Sequence, residues 1–197
     1  MADRPIPFSE PMIRALLAGR KSQTRRLLRK PSLADAMGIP TTKYEVGDRL
    51  WVREAWRTYS RFDMCAPRDL PEGLYVWHEA DDGYKPKSRF RQGMHMPRWA
   101  SRLTLTVSDV RVQRVQDISD ADAIAEGIDP THIPGEPWRN YQPGRYLANW
   151  AVPSNSYMTL WDSLNADRGF PWDSNPWVVA LTFSVTLGNI DELAGTP

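Results

Sequence analysis

Two long runs of apolar residues are the feature that most constrains how this chain can fold. Leu103 to Val115 reads LTLTVSDVRVQRV, and Trp177 to Leu187 reads WVVALTFSVTL. Alternation of apolar and polar residues is typical of a strand with one buried face, and a short apolar run of this kind is typical of a buried strand. The first run predicts one or two strands, and the second predicts a final strand in the core.

Helix signals in this chain are few and short. Ser9 is a suitable N-cap for a helix whose apolar residues share one face and which ends at Gly19. Ser119 opens a capping-box pattern that predicts a second short helix closing at Gly127. Helical spacing of apolar residues predicts a third helix over residues 154–164.

Shorter strands are predicted between these elements, at residues 24–28, 49–54 and 74–78. Residues 31–40 and 128–145 are rich in turn-forming residues and are predicted as loops. Several strands with few helices favour an α+β fold, a small mixed β-barrel with flanking short helices, over a doubly wound sheet.

The chain length predicts one domain over residues 1–187. Within it, residues 57–97 carry weak structural signals and are interpreted as a long, loop-rich insertion. Residues 188–197 are predicted to form a flexible C-terminal tail.

Charge is distributed unevenly along the chain. Residues 1–102 hold 20 Lys and Arg against 12 Asp and Glu, whereas residues 103–197 hold 5 against 12. Residues 11–34 contain seven basic residues and no acidic one, and a second acid-free stretch carries Lys85, Lys87, Arg89, Arg91, Arg98 and Arg102. Such clusters suit a polyanion, but they are equally explained as a solvated face that the acidic second half neutralises.

Several protein classes are disfavoured by what the sequence lacks. Cys65 is the only cysteine, and the three histidines have no ligand spacing, so we expect neither a disulfide nor a catalytic metal. The nucleotide-binding and hydrolase motifs built on Gly-rich loops or a nucleophile elbow are absent, and no cofactor is expected. No apolar stretch is long enough to span a membrane and no secretory signal is evident, so a cytoplasmic setting is predicted.

Four stretches together resemble the ASCH-domain family, in the version common in bacteriophages and prophages. They are PIPFSEPMIRALLAGRKSQTRR, GDRLWVREAW, the pair MPRWASR with DISDADAIAEGI, and LWDSLN followed by NPWVVALTF. The resemblance covers most of residues 5–187 and implies a PUA-like fold, a compact β-barrel with a cleft that faces nucleic acid. It also implies a bacterial cell or a phage-infected cell as the setting.

Small bacterial amidohydrolases of the same superfamily remove the acetyl group from N4-acetylcytidine. The resemblance to them implies three catalytic residues at the matching positions here, Lys21, Thr24 and Glu126. The match at Glu126 is shorter than the match at the other two, and this chain is about twice as long as those enzymes.

The chemistry of these residue types fits amide hydrolysis. Thr24 would be the nucleophile and Lys21, surrounded by arginines that lower its pKa, would take the hydroxyl proton. Glu126 would act as general acid and base on water or on the leaving amine. Each residue also has an ordinary structural reading: Lys21 as a solvated turn lysine, Thr24 as a strand residue and Glu126 as the last turn of its helix.

Further residues are predicted to bind the substrate, through charge or through stacking on a base. They are Arg20, Arg25, Arg26, Trp51, Arg53, Glu54, Trp56, Arg98 and Trp99. The alternative for the tryptophans is packing, and the alternative for the charged residues is an ion pair at a strand edge.

Three functions therefore stay open at the level of sequence. The first is a metal-independent amidohydrolase acting on N4-acylated cytidine nucleosides. The second is a non-catalytic RNA- or DNA-binding module that reads a modified base, and the third is a ribonuclease. The expected partner in each case is a modified nucleoside or a single-stranded or flipped segment of nucleic acid.

Overall fold

The computed structural model describes residues 1–28, 40–144 and 151–193. The α-helices are α1 (Glu10–Leu17), α2 (Asp120–Ala125) and α3 (Pro153–Asn165). The strands are β1 (Asp3–Pro7), β2 (Gln23–Leu27), β3 (Arg49–Arg53), β4 (Trp56–Arg57), β5 (Trp77–His78), β6 (Leu103–Arg114), β7 (Pro130–Ile133), β8 (Glu136–Trp138) and β9 (Trp177–Leu187).

The main sheet has five strands in the order β1-β3-β6-β9-β2. β1 runs parallel to β3, whereas β3 pairs with β6 and β2 pairs with β9 in antiparallel register. Two short antiparallel strand pairs, β4-β5 and β7-β8, stand outside this sheet. The predicted α+β class with few helices is therefore confirmed. A closed barrel is not shown among the described residues, because the strand order ends at β1 on one side and at β2 on the other.

The chain divides into two compact units. Unit 1 comprises residues 1–19, 45–108 and 183–197, and unit 2 comprises residues 20–44 and 109–182. The two long strands β6 and β9 contribute residues to both units, since their ranges span the boundaries at residues 108 and 182.

Unit 2 is built around an apolar cluster beneath α2 and α3. Its buried members are Val115, Ile118, Ala123, Ile128, Tyr157, Trp161 and Val178. The start of α2 is fixed by Ser119, whose hydroxyl accepts a hydrogen bond from the Asp122 amide at 3.1 Å. This N-cap satisfies one of the amides that a helix leaves unpaired at its first turn. The capped helix is thereby held where its acidic residues can meet β2.

Unit 1 contains the predicted insertion, which packs with flanking residues around a buried apolar cluster. Trp56, Leu70, Met96 and Ala100 form an apolar cluster, and Trp99 packs against it. The residues between these positions fold as short 3-10 turns and as the β4-β5 pair. The predicted strand at 74–78 is reduced to the two residues of β5.

β1 and the β7-β8 pair also differ from the sequence-based prediction. β1 contains Pro5 and Pro7 and was not predicted; proline is compatible with it because an edge strand needs partners on only one side. The β7-β8 hairpin lies within residues 128–145, which were predicted as a loop. Residues 31–39 of the other predicted loop lie outside the described residues.

The start of the predicted C-terminal tail is packed in unit 1. Ile190 is buried, and the Asn189 side-chain amide donates hydrogen bonds to the carbonyls of Arg98, Trp99 and Ser101. Burial of an apolar side chain together with main-chain hydrogen bonds fixes this segment. Residues 194–197 of the predicted tail are outside the described residues.

Candidate functional site

Lys21 and Glu126, two of the three predicted catalytic residues, are in direct contact in unit 2. The Lys21 Nζ donates to Glu126 Oε2 at 2.9 Å and to the Glu126 main-chain carbonyl at 2.7 Å. Both side chains are removed from solvent, with 0% of the Lys21 side chain and 3% of the Glu126 side chain exposed. A turn that follows α1 and the end of α2 thus meet at a buried ion pair.

The end of α2 determines where Glu126 lies. The helix closes with the Glu126 amide donating to the Asp122 carbonyl, and Gly127 then adopts a positive φ of 82° that favours glycine. A carboxylate at a helix C-terminus is unfavourable for the helix dipole. Lys21 offsets this cost because its ammonium binds both the carboxylate and a terminal carbonyl. The turn is fixed as well, since the Ser22 amide donates to the Ala125 carbonyl at 2.9 Å.

Arg25 is a second cation on the same carboxylate. One of its guanidinium nitrogens lies 3.2 Å from Glu126 Oε1, and the other donates to Asp122 Oδ2 at 2.8 Å. Its guanidinium also lies 5.8 Å from the centre of the Tyr157 ring. Both oxygens of Glu126 are therefore bound by cationic groups from the β2 side.

Asp122, one helical turn before Glu126, accepts hydrogen bonds from three side chains. Gln23 donates to it at 2.9 Å and Arg111 at 3.1 Å, in addition to Arg25. Burial would raise the pKa of Asp122, but these hydrogen bonds and the positive charges of Arg25 and Arg111 together hold that pKa below its ordinary value of 3.8. Asp122 is therefore an ionised partner that keeps the arginines in place.

The buried lysine has a lowered pKa. Desolvation is the largest cause, since burial disfavours the ammonium; the charges of Arg25 and Arg26 act in the same direction, and Glu126 opposes them. The pKa of Arg26 is lowered for the same leading reason. The pKa of Tyr157 is raised well above 10.0 by burial, by the negative charge of Glu126 and by a hydrogen bond to it. The group around Glu126 is thus a compact set of mutually dependent ionisable residues.

Thr24, the predicted nucleophile, is buried but is oriented differently from its neighbours. It pairs with Leu181 across the β2-β9 ladder and stands between Gln23 and Arg25, whose side chains reach α2. Alternate residues of a strand point to opposite faces, so the Thr24 hydroxyl is directed away from Glu126. The structure brings Lys21 and Glu126 into contact, whereas the alternation of β2 places Thr24 on the strand face opposite to Gln23 and Arg25.

Arg20 is directed to the loop after α2. It contacts the carbonyls of Gly127 and Ile128 at 3.4 Å each and the Asp129 carboxylate at 3.5 Å. These are long contacts on a partly exposed side chain, so they position Arg20 beside the end of α2 without burying it. Of the predicted binding residues, Arg20, Arg25 and Arg26 lie in unit 2 together with the ion pair.

The other predicted binding residues belong to unit 1. Trp51 is almost fully buried, and the Arg53 guanidinium lies 4.4 Å from the centre of its ring. Trp56 is 0% exposed within the insertion core, and Arg91 covers its ring at 5.3 Å. Stacking on a base requires a free aromatic face. Packing and arginine contacts occupy the rings of Trp51 and Trp56, and their stacking on a base stays a prediction.

Glu54 and Arg98 are also engaged in ion pairs within unit 1. Arg102 binds Glu54 through both carboxylate oxygens, at 2.9 and 3.0 Å, and Arg98 reaches Asp3 and Asp191 at 2.6 Å each. Trp99 is partly buried against the insertion core. Glu54 and Arg98 thus form the ion pairs of the alternative interpretation, and their role in ligand binding stays a prediction.

Sequence reasoning missed Asp122, Arg111 and Tyr157. Asp122 could have been found, because it precedes Glu126 by four residues and therefore shares its face of α2. Arg111 and Tyr157 come from distant parts of the chain, β6 and α3, and no local pattern links them to the ion pair. Their position follows from tertiary packing alone.

The described residues include no group of three or more His, Cys, Asp or Glu side chains arranged to hold a metal ion. Within the same residues, no helix has the length and apolar character required to cross a membrane.

Comparison with known proteins shows a likeness in structure. No family model matches the chain, and no curated protein matches it. Among solved structures, a protein from Enterococcus faecalis assigned to the family model DUF984 aligns with a TM-score of 0.43 and 10% sequence identity. The alignment covers 98% of this chain and 81% of that one.

Proposed function

We propose that this protein hydrolyses the amide of N4-acylated cytidine nucleosides and that Lys21 and Glu126 are its proton-transfer pair. The observation that carries the proposal is the 2.9 Å contact between the Lys21 ammonium nitrogen and a Glu126 oxygen. A general acid and base must lie within hydrogen-bond reach of the protons that they move. Two residue types suited to that work meet here from positions 105 residues apart.

The reaction consumes one water molecule and needs two proton transfers. Neutral Lys21 takes a proton from water, and the resulting hydroxide forms a bond to the acyl carbon. The bond between that carbon and N4 of the base then breaks, and the proton passes from the pair to N4, which releases cytidine and the carboxylic acid. Burial favours the neutral amine of Lys21 and so makes it available as a base.

Water replaces Thr24 as the nucleophile in this proposal. The reason is the orientation of Thr24, which strand alternation directs away from α2. Arg25 supplies positive charge beside Glu126 at 3.2 Å, and such a guanidinium stabilises the oxyanion that develops on the acyl oxygen. Substrate entry requires the buried pair to become accessible, because both side chains are closed to solvent in the present conformation.

A second candidate function, a non-catalytic module that binds nucleic acid, is favoured by a specific observation. The Glu126 carboxylate is fully engaged by Lys21 and Arg25, and the Lys21 side chain is 0% exposed. Buried charged networks of this kind also occur as purely structural features. In that case unit 2 would be a rigid scaffold, and binding would depend on the exposed arginines.

The two candidates are separated by one set of assays on the purified protein. N4-acetylcytidine and a panel of longer N4-acyl cytidines are incubated with the protein, and cytidine release is followed by chromatography. The hydrolase proposal predicts release that changes little between 50 and 200 mM salt, because an uncharged nucleoside displaces no counterions. The binding candidate predicts no cytidine release and a salt-sensitive affinity for oligonucleotides.

A further inference from the structure

Unit 1 contains a cleft that shares no residue with the Lys21–Glu126 pair. Two cavities of about 550 and 330 Å³ share Ala66, Pro67 and His95 in their walls. Arginines line both of them: Arg89 and Arg91 in the larger cavity, Arg53 and Arg68 in the smaller. No Asp or Glu of the described residues lines either cavity. We call this feature the insertion cleft, since most of its residues belong to the segment 57–97.

Three arginines of the insertion cleft are held by neutral groups rather than by carboxylates. Arg53 donates to the Met94 carbonyl at 3.0 Å, and Arg89 donates to the Asp63 carbonyl at 3.2 Å. Arg91 donates to the carbonyls of Cys65 and Phe62. A main-chain carbonyl orients a guanidinium without cancelling its charge. The nearby Asp63 carboxylate accepts the Arg89 main-chain amide at 2.8 Å and forms no ion pair with these three guanidinium groups among the described residues. The fourth, Arg68, has a 3.7 Å contact with Asp69 in which both side chains are largely exposed.

Other basic residues of the same acid-free stretch behave differently. Lys85 pairs with Glu79, Arg98 with Asp3 and Asp191, and Arg102 with Glu54 and Asp81. Among the residues that the structure describes, Arg53, Arg89 and Arg91 have no carboxylate oxygen within ion-pair distance. Of the basic residues of that stretch, Arg89 and Arg91 therefore bring charge without an ion pair to the insertion cleft, and Arg53 adds a third such charge from β3.

The burial of Arg91 is further evidence that the insertion cleft binds an anion. The residue is only 5% exposed, and its Nε is buried without a hydrogen-bond partner among the described residues. A buried charge normally has an ionic partner, because removing a cation from water is costly. Burial, aided by the nearby charge of Arg89 and opposed by Asp63 and Cys65, lowers the pKa of Arg91. An anion in the cleft would supply the missing partner.

Apolar side chains stand beside these cations. Met64, Phe90 and Met94 line the cavities and are exposed, Met64 to 94%. A surface with arginines free of carboxylates and with solvent-exposed aromatic and thioether groups suits a ligand that joins a phosphate to a flat, weakly polar ring. We propose that the insertion cleft binds the phosphate group of a nucleotide unit, either free or within single-stranded nucleic acid. This site goes beyond the proposed hydrolase function and uses none of its residues.

Cys65 makes the proposal directly testable, because it lines the larger cavity and is the only cysteine in the chain. The rate at which a thiol reagent modifies Cys65 is measured without ligand, with cytidine monophosphate and with a short single-stranded oligonucleotide. Occupation of the cleft is expected to slow modification at least about fivefold. Protection by cytidine monophosphate alone identifies a free nucleotide as the ligand, and protection by the oligonucleotide alone identifies nucleic acid.

Affinity measurements on variants complete the test. Arg68→Gln/Arg89→Gln removes two exposed charges of the cleft, and Arg14→Gln removes one exposed charge of α1 elsewhere in unit 1. The double variant is expected to bind the protecting ligand at least about tenfold more weakly than wild type, and Arg14→Gln within about twofold. For an oligonucleotide, the slope of log affinity against log salt should fall by roughly 0.7 for each phosphate that the variant no longer neutralises.

Two results would overturn the insertion-cleft proposal. One is that neither ligand protects Cys65 at millimolar concentration. The other is that the folded double variant binds as tightly as wild type. Because neither measurement involves cytidine release, failure here is distinguishable from failure of the hydrolase proposal.

Discussion

Lys21 binds Glu126 twice, through the carboxylate at 2.9 Å and through the main-chain carbonyl at 2.7 Å. The first contact pairs two charges, and the second ties the ammonium to the end of α2. Lys21 therefore has two possible roles. It links the turn before β2 to the end of α2, and it is in position to exchange a proton with Glu126. Variants of the pair and of its neighbours separate these two roles.

The structural role predicts a large cost when Glu126 is removed. Glu126→Ala leaves Lys21 and Arg25 buried without their shared carboxylate, and breaking such a pair typically costs about 3–5 kcal/mol. The free energy of unfolding, measured by urea denaturation, should fall by that amount. The matched control is Glu10→Ala, which removes an exposed partner of Arg14 in α1 and should cost about 0.5 kcal/mol or less. A cost for Glu126→Ala as small as that of the control would contradict the buried-pair account.

Thr24 provides a test of the nucleophile. Thr24→Val keeps the shape of the side chain and removes the hydroxyl, at a position that points away from α2. If water is the nucleophile, as proposed, cytidine release by the variant should stay within about fivefold of wild type. Loss of covalent catalysis by a side chain would instead reduce the rate by orders of magnitude. That second outcome would restore Thr24 as the nucleophile, and Thr24→Ser, which keeps a hydroxyl, serves as the control.

The lowered pKa of Asp122 predicts acid sensitivity of unit 2. The unfolded chain has the ordinary pKa near 3.8, and the folded chain has a lower one, so between these values the unfolded state binds more protons. The stabilisation from Asp122 is therefore present above pH 3.8 and is lost as the pH falls from there through the folded pKa. Urea denaturation at a series of pH values should show this loss, and it should be reduced in Asp122→Asn. An identical acid dependence in both proteins would exclude Asp122 as its source.

Substitution of Gly93, next to the insertion cleft, is expected to disturb main-chain packing and lower stability. A Cβ added at Gly93 would lie 2.9 Å from the Glu54 carbonyl carbon and 3.1 Å from the Arg53 carbonyl oxygen. Both contacts are with main chain, which cannot rotate away, so Gly93→Ala should lower the free energy of unfolding by about 1–3 kcal/mol. Gly83→Ala offers no suitable control, because Gly83 has a positive φ of 105° that strains alanine by itself. Asp82→Ala, at an exposed loop position, should leave stability within about 0.5 kcal/mol.

Local patterns in the sequence were sufficient for the elements that carry the ion pair. The apolar run at 177–187 coincides with β9, and the Ser119 capping pattern marks the start of α2. The family resemblance predicts the roles of Lys21 and Glu126, and the structure places the Lys21 Nζ 2.9 Å from a Glu126 carboxylate oxygen. Thr24 shows the limit of such matching, because spacing in sequence does not reveal which face of a strand a side chain occupies.

Features that depend on long-range packing could not be predicted. Trp56 is a candidate stacking residue in the sequence, yet in the structure it is buried in one apolar cluster with Leu70 and Met96. The arginines of residues 85–102 look alike in sequence, but Arg98 and Arg102 form ion pairs, whereas the guanidinium groups of Arg89 and Arg91 form none among the described residues. Only the fold decides which charges are compensated.

The most direct test of the central claim is cytidine release from N4-acetylcytidine by Lys21→Arg. Arginine preserves a cation that can pair with Glu126, but it does not deprotonate in proteins and so cannot serve as a base. If Lys21 and Glu126 transfer protons, the variant should melt as a folded protein and release cytidine at least about 100-fold more slowly than wild type. Release by folded Lys21→Arg at the wild-type rate, or no release by wild type itself, would contradict the account.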